Sequence, residues 1–215
     1  MFLEAFAPFQ DLAAQLLPSL DESTDGSHDL SHLKRVWQNA QLLADEEGAN
    51  LHLLAAAVLL HDCVRVEKGS PLRDQASRLS AERAGEALTK LGWAAGDIEI
   101  VTGAVLSHSY SAGLAPTTPE AKVLQDADRL DAIGLVGIAR CFYTAGRLGS
   151  SLYHSADPAG KDRPLDDKGY ALDHFPKKLL TLATGFHTAA GRRMARERHE
   201  HLEEFYKAFL LELQA

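Results

Sequence analysis

Eight consecutive apolar residues, Leu53-Leu54-Ala55-Ala56-Ala57-Val58-Leu59-Leu60, run without a break into His61-Asp62. A run of this length and composition reads as a buried helix, too short to cross a bilayer. A charged aspartate is rarely carried to the end of such a helix unless a partner or a metal compensates its desolvation. One segment therefore asks both for a helical core around it and for chemistry at its end.

The rest of the chain agrees with a helical fold. Apolar residues recur at three and four rather than at two, which predicts helices at about 2–17, 29–47, 50–62, 78–92, 96–109, 119–128, 131–146, 174–183 and 185–213. Val36, Asn39, Leu42 and Leu43 share one stripe, and Leu202, Phe205, Tyr206, Phe209 and Leu210 form another. Thr118-Pro119-Glu120 is a helix start, with Thr as the cap and Pro at the first helical position. The fold class expected is all-α. Breaker-rich stretches predict loops at 18–28, 64–76 and 155–173, the last of a length that suits a lid. No repeat or domain boundary is evident, so 1–215 is read as a single domain, with a motif-bearing core at about 28–146 and C-terminal helices at about 174–213.

Charge and cysteine usage narrow the function. A net charge of −8 and a pI near 5.6 argue against a nucleic-acid polymer as partner. They leave room for a small anion, because local arginines and a metal can override the global sign. Cys63 and Cys141 form no C-x-x-C pattern and suit a reducing, cytoplasmic setting. The N-terminus has no signal-peptide pattern, and no membrane association is expected.

The chemistry-bearing residues cluster in three places. His28-Asp29-Leu30-Ser31-His32 puts two histidines at i and i+4, with Arg35 and Asn39 continuing that face. His61-Asp62 is the second cluster. Leu124-Gln125-Asp126-Ala127-Asp128-Arg129-Leu130-Asp131 again sets carboxylates beside core leucines. Imidazole and carboxylate together suit Mn, Fe, Co, Ni or Zn, and such a site with open positions activates water and takes phosphoryl oxygens. No phosphate-binding glycine loop, dinucleotide fingerprint or serine-hydrolase elbow is present. His199-Glu200-His201-Leu202-Glu203 lacks the second histidine of a zincin helix, and a metallopeptidase built on His28 and His32 would lack its glutamate base.

His32, then His61-Asp62, then Asp128, in these flanks, resembles the H…HD…D signature of the HD phosphohydrolases. The similarity extends through His28-x-x-x-His32-x-x-Arg35, Leu59-Leu60-His61-Asp62 and the segment from Leu124 to Gly134, and it is closest to bacterial stand-alone members that include nucleoside-triphosphate pyrophosphohydrolases. The resemblance implies an HD-type helical bundle with His32, His61, Asp62 and Asp128 as metal ligands, and His61 and Asp62 at the reacting centre. It implies one or two divalent ions (Mn, Co, Ni, Fe, Zn or Mg) and hydrolysis of a phosphate ester or anhydride of a small phosphorylated substrate, expected to be a nucleotide. A triphosphate cleaved to monophosphate and pyrophosphate is one form of that reaction. His28, Arg35, Arg65, His108, Arg129, Asp131, Lys177 and Lys178 are the candidate substrate contacts. Lys177 and Lys178 follow directly on the 155–173 loop. Arg65 stands where several relatives carry an acid, which speaks against alarmone hydrolysis and leaves the general acid unassigned. A non-catalytic nucleotide sensor with a retained metal site is the alternative, and a homodimer is compatible with either.

Overall fold

The computed structural model describes residues 2–21, 29–66, 70, 72–109 and 113–213. Among its described residues the regular structure is helical, with a lone β-bridge between Ser151 and Tyr170 in place of any sheet. Among the same residues no helix is long and apolar enough to cross a membrane. The chain forms two compact units that divide within one helix, between Asp128 and Arg129.

In the first unit the helices are α1 (Gln10–Leu16), α2 (Leu30–Glu47), α3 (Leu51–Leu60), α4 (Ala76–Lys90), α5 (Ala95–Ser107) and most of α6 (Pro119–Asp131). Asp29 caps α2 by accepting from the amides of Ser31 (2.9 Å) and His32 (3.1 Å), a role that fits a side chain preceding a helix. Asn50 does the same for α3. Residues Leu53 to Leu60 are all buried, as their composition demands, because α1, α2, α4 and α5 pack around α3. Phe6 stacks on Trp37 at 5.5 Å between ring centroids, and Phe9 meets the same indole edge-on at 6.0 Å. Thr118 caps α6 through the Ala121 amide. Within α6, Asn39 donates to the Ala127 carbonyl at 3.1 Å, and Gln125 donates to the Ser107 carbonyl at 2.6 Å. Two buried amides thus tie α6 to α2 and to the end of α5.

The second unit holds α7 (Gly134–Arg147), the single-turn α8 (His174–Lys177) and the long α9 (Ala189–Glu212). Phe142, Phe175, Phe205 and Phe209 form its aromatic core, with centroid spacings of 5.5 to 5.9 Å. Gly137 is required by sterics, since a Cβ there would lie 2.3 Å from the Ala132 carbonyl oxygen.

Five predicted helix spans and one predicted stripe need correction. The segment 2–17 breaks into a 3-10 turn (Leu3–Phe6) and α1, because Pro8 offers no N–H to a continuous helix. α6 runs on to Asp131 and α7 begins at Gly134, whose φ of +72° marks the break. The span 174–183 shrinks to α8 and a 3-10 turn (Leu179–Thr181), and α9 starts only at Ala189, capped by Thr188. Leu42, counted on the buried stripe of α2, is 60% exposed, whereas Val36 and Leu43 are buried.

The 155–173 segment is irregular, as its breakers predict, yet closely bonded to itself. Arg163 forks onto Asp173 with contacts of 2.5 and 2.7 Å, the Asp166 amide donates to the same carboxylate at 2.7 Å, and Asp157 accepts from the amides of Lys161 and Asp162. Burial alone would push the Asp173 carboxyl up, but the Arg163 guanidinium and the Asp166 amide outweigh it and hold the group below its ordinary value. A depressed carboxyl contributes stability above its unfolded value of about 3.9 and loses it as pH falls through the folded value. Asp173→Asn should therefore lower the urea midpoint at pH 7 and flatten the fall in midpoint between roughly pH 5 and pH 3. A variant with the wild-type acid limb would contradict this role.

Candidate metal centre

The helices of the first unit bring four separated stretches of chain to one point. α2 presents His32 in its first turn, the end of α3 presents His61 and Asp62, the end of α5 presents His108, and α6 presents Asp128. His32 and His61 face each other through their Nε2 atoms at 3.3 Å. Asp128 Oδ1 lies 3.5 Å from His32 Nε2 and 3.9 Å from His61 Nε2. Asp62 bridges outward, with Oδ2 3.8 Å from His61 Nε2 and Oδ1 3.4 Å from His108 Nε2. The cluster reads as two overlapping triads, His32–His61–Asp128 and His61–Asp62–His108, joined at His61.

Backbone carbonyls set the histidine tautomers. His61 Nδ1 lies 2.8 Å from the Val58 carbonyl, and His108 Nδ1 lies 2.6 Å from the Val105 carbonyl. A carbonyl only accepts, so each ring carries its proton on Nδ1 and, when neutral, turns an Nε2 lone pair toward the carboxylates. Lone pairs and carboxylates converging in a buried place repel one another unless a cation stands between them. This donor set fits a divalent metal of the kind that takes mixed imidazole and carboxylate ligands.

The titration of the site follows from the same geometry. Burial pushes His61 down, further than the charges of Asp62 and Asp128 raise it. Burial also pushes His108 down, but its hydrogen bond to Asp62 and the charge of that carboxylate outweigh this, so His108 is more basic than usual. Desolvation pushes Asp62 up although its side chain is still 41% exposed, and the imidazoles of His61, His108 and His32 overcome that and hold it well below the ordinary carboxylate range.

Beside the cluster lies a cavity of about 530 Å³. His32 and Asp62 of the cluster are among its lining residues, the leucines 17, 20, 30, 33 and 59 give it apolar surface, and Asp21, Asp29 and Arg65 supply charge. Its size and mixed lining are those of a small-molecule site.

The candidate substrate contacts are distributed unevenly. Arg65 lines the cavity and His108 stands in the cluster itself. Arg35 is half-buried on α2, one turn beyond His32, and His28 lies outside the described residues. The remaining four belong to the second unit. Arg129 donates to the Gly185 carbonyl at 2.8 Å and lies over the Phe186 ring. Asp131 is buried and paired with Arg140 at 2.6 Å. Lys177 pairs with Asp167 at 2.6 Å, and Lys178 is exposed. Asp21, Leu17 and Leu20 of the cavity escaped the motif search, since none sits in a motif segment.

The HD domain family matches residues 29–133, the span that carries every member of the cluster. The chain belongs to the HD-domain family. It is 34% identical to YpgQ of Bacillus subtilis over 191 residues, covering 87% of this chain and 84% of YpgQ. The crystal structure of YpgQ in complex with ADP superposes with a TM-score of 0.70, covering 92% of this chain and 95% of that one at 34% identity. A Lactobacillus plantarum protein of known structure gives 0.73 at 30% identity, covering 99% and 97%. An HD-superfamily hydrolase from Bacillus thuringiensis gives 0.71 at 27% identity over the whole of both chains.

In the metal-stripped protein, proton–nitrogen correlation spectra should place the ring proton of His61 and of His108 on Nδ1. His61 should stay neutral to lower pH than an ordinary histidine, and His108 should stay protonated to higher pH. A neutral His61 carrying its proton on Nε2 would contradict this arrangement.

Proposed function

We propose that this chain is a metal-dependent phosphohydrolase that cleaves a phosphate ester or anhydride of a nucleotide. The observation that carries the reading is the His61 Nε2 shared by two triads, one of whose carboxylates, Asp62, opens onto the adjacent cavity. YpgQ, similar over nearly its whole length, has been crystallised with ADP, which supports a nucleotide as the ligand class.

His32, His61, Asp62 and Asp128 are assigned as the ligands of a divalent ion. When bound, such an ion supplies positive charge to phosphoryl oxygens and lowers the pKa of a water. Asp62, the exposed member of the set, orients that water through its carboxylate. His108 Nε2 faces Asp62 Oδ1 at 3.4 Å and, when protonated, adds positive charge beside that carboxylate. Arg65 lines the cavity as a cation, and the leucines offer apolar surface that suits a base or sugar face better than a second phosphate. Imidazole-rich coordination favours Mn²⁺, Co²⁺ or Ni²⁺ over Mg²⁺, which prefers an all-oxygen shell.

Asp62→Ala should lower bound metal and reduce turnover by more than about a hundredfold, a loss that even outer partners of a metal ligand can cause. The helical circular-dichroism signal should persist, because the α3 core does not depend on the ion. Full metal occupancy in that variant would overturn the ligand assignment. The reaction itself is tested by incubating stripped protein with Mn²⁺, Co²⁺, Ni²⁺ or Mg²⁺ and a panel of nucleoside mono-, di- and triphosphates, resolving phosphate from pyrophosphate. Turnover of nucleotides with the first three ions, exceeding that with Mg²⁺ and that of aryl phosphates, is the expected result. No turnover of any nucleotide with any of the four would overturn it.

A further inference from the structure

Asp62 occupies an awkward place for a residue that must be held still. α3 ends at Leu60, so the backbone from His61 to Arg65 leaves the helix that would otherwise fix it. The Asp62 side chain is 41% exposed and cannot be wedged by packing alone. Beyond the contact of its Oδ1 with His108, its position depends on the backbone that follows it.

That backbone is bonded by side chains from two remote segments. The Cys63 carbonyl accepts from the Asp21 amide at 3.0 Å and from an Arg83 guanidinium nitrogen at 3.2 Å. The Val64 amide donates to Ser80 Oγ at 3.2 Å, and the Arg65 amide donates to Asp21 Oδ2 at 3.0 Å. Arg83 closes the ring by an ion pair with Asp21 Oδ1. Cys63 itself is buried, and its thiol donates to the Ser80 carbonyl at 3.5 Å. Backbone groups leaving a helix are commonly satisfied by water or by a simple turn. Here three successive residues are held by Asp21, from the segment after α1, and by Ser80 and Arg83, one turn apart on α4.

We infer that Asp21, Ser80 and Arg83 are positioning residues that fix the Asp62 carboxylate toward the cation by clamping residues 63–65. The inference rests on the metal-centre reading proposed above. Asp21 and Arg83 are each 38% exposed, so their ion pair contributes little to stability in its own right. Outer partners of a metal ligand act chiefly on its orientation, and their loss weakens metal binding by about ten- to a hundredfold. Because Asp21 also lines the cavity, the same clamp shapes the wall beside Asp62.

Arg83→Gln separates this from simple electrostatics. Removing a positive charge near a cation site should tighten cation binding if charge alone matters, whereas loss of the clamp should weaken it. Mn²⁺ affinity is measured by calorimetry on stripped wild type, Arg83→Gln, Asp21→Asn, the double variant and Arg83→Lys, alongside the melting temperature of each stripped protein. The expected result is Mn²⁺ binding weakened about ten- to a hundredfold in both Arg83→Gln and Asp21→Asn. The double variant should be no weaker than the weaker single one, Arg83→Lys should be intermediate, and the metal-free melting temperatures should be close to wild type. Folded Arg83→Gln that binds Mn²⁺ as tightly as wild type, or more tightly, overturns the inference. If Arg83→Gln does not fold, wild-type affinity in Asp21→Asn overturns it alone. A wild type that binds no Mn²⁺ would sink the metal-centre reading and this inference with it, whereas wild-type binding with unaltered variants sinks the inference only.

Discussion

The hydrogen bond from His61 Nδ1 to the Val58 carbonyl, 2.8 Å long within the last turn of α3, governs the site. It holds the ring against its own helix, settles where the proton sits, and aims the Nε2 lone pair at His32, Asp62 and Asp128. Without it the imidazole could rotate or change tautomer, and the two triads that share it would have no common vertex. The bond holds because α3 is buried on every side and cannot shift.

Four further anchors repeat the pattern with different chemistry. His108 uses the Val105 carbonyl as His61 uses that of Val58, so the ends of α3 and α5 present equivalent tautomers from two directions. Asp29 caps α2 and fixes the turn that carries His32. Asn39 and Gln125 tie α6 to α2 and to the residue beside His108, which holds in place the helix that carries Asp128. A centre assembled from helix ends is thereby made rigid by backbone acceptors and buried amides, with bulky packing left to the core behind it.

For the proposed nucleotide substrate, a chain of net charge −8 must concentrate its positive charge locally. His108, more basic than usual beside Asp62, and Arg65 on the cavity wall supply such charge in the first unit. The leucines that share the cavity lining with these charged groups give it a mixed apolar and polar character. In the second unit the basic groups nearest the motifs in sequence are engaged by neighbours, Lys177 by Asp167 and Arg129 by the carbonyls and ring near Gly185. Adjacency in sequence to a motif is a poor guide to where a long, flexible cation ends up.

Local pattern was enough to reveal the helices and the metal-type residues. Helical periodicity is a property of neighbours three and four apart, and a buried run ending in His61-Asp62 signals its chemistry by the cost of desolvating an aspartate there. The spacing and flanks of His32, His61-Asp62 and Asp128 carried the family resemblance. Tertiary structure alone decided the rest. It turned Leu42 to solvent, paired Asp131 with Arg140, and brought Asp21 and Arg83 to the backbone after Asp62 across about forty and twenty residues of chain. Periodicity records which face of an element is apolar, but not which remote side chain will meet a backbone amide once the helices pack. Contacts of that kind have no local signature, because closing the chain over such distances is settled by the packing of the whole unit.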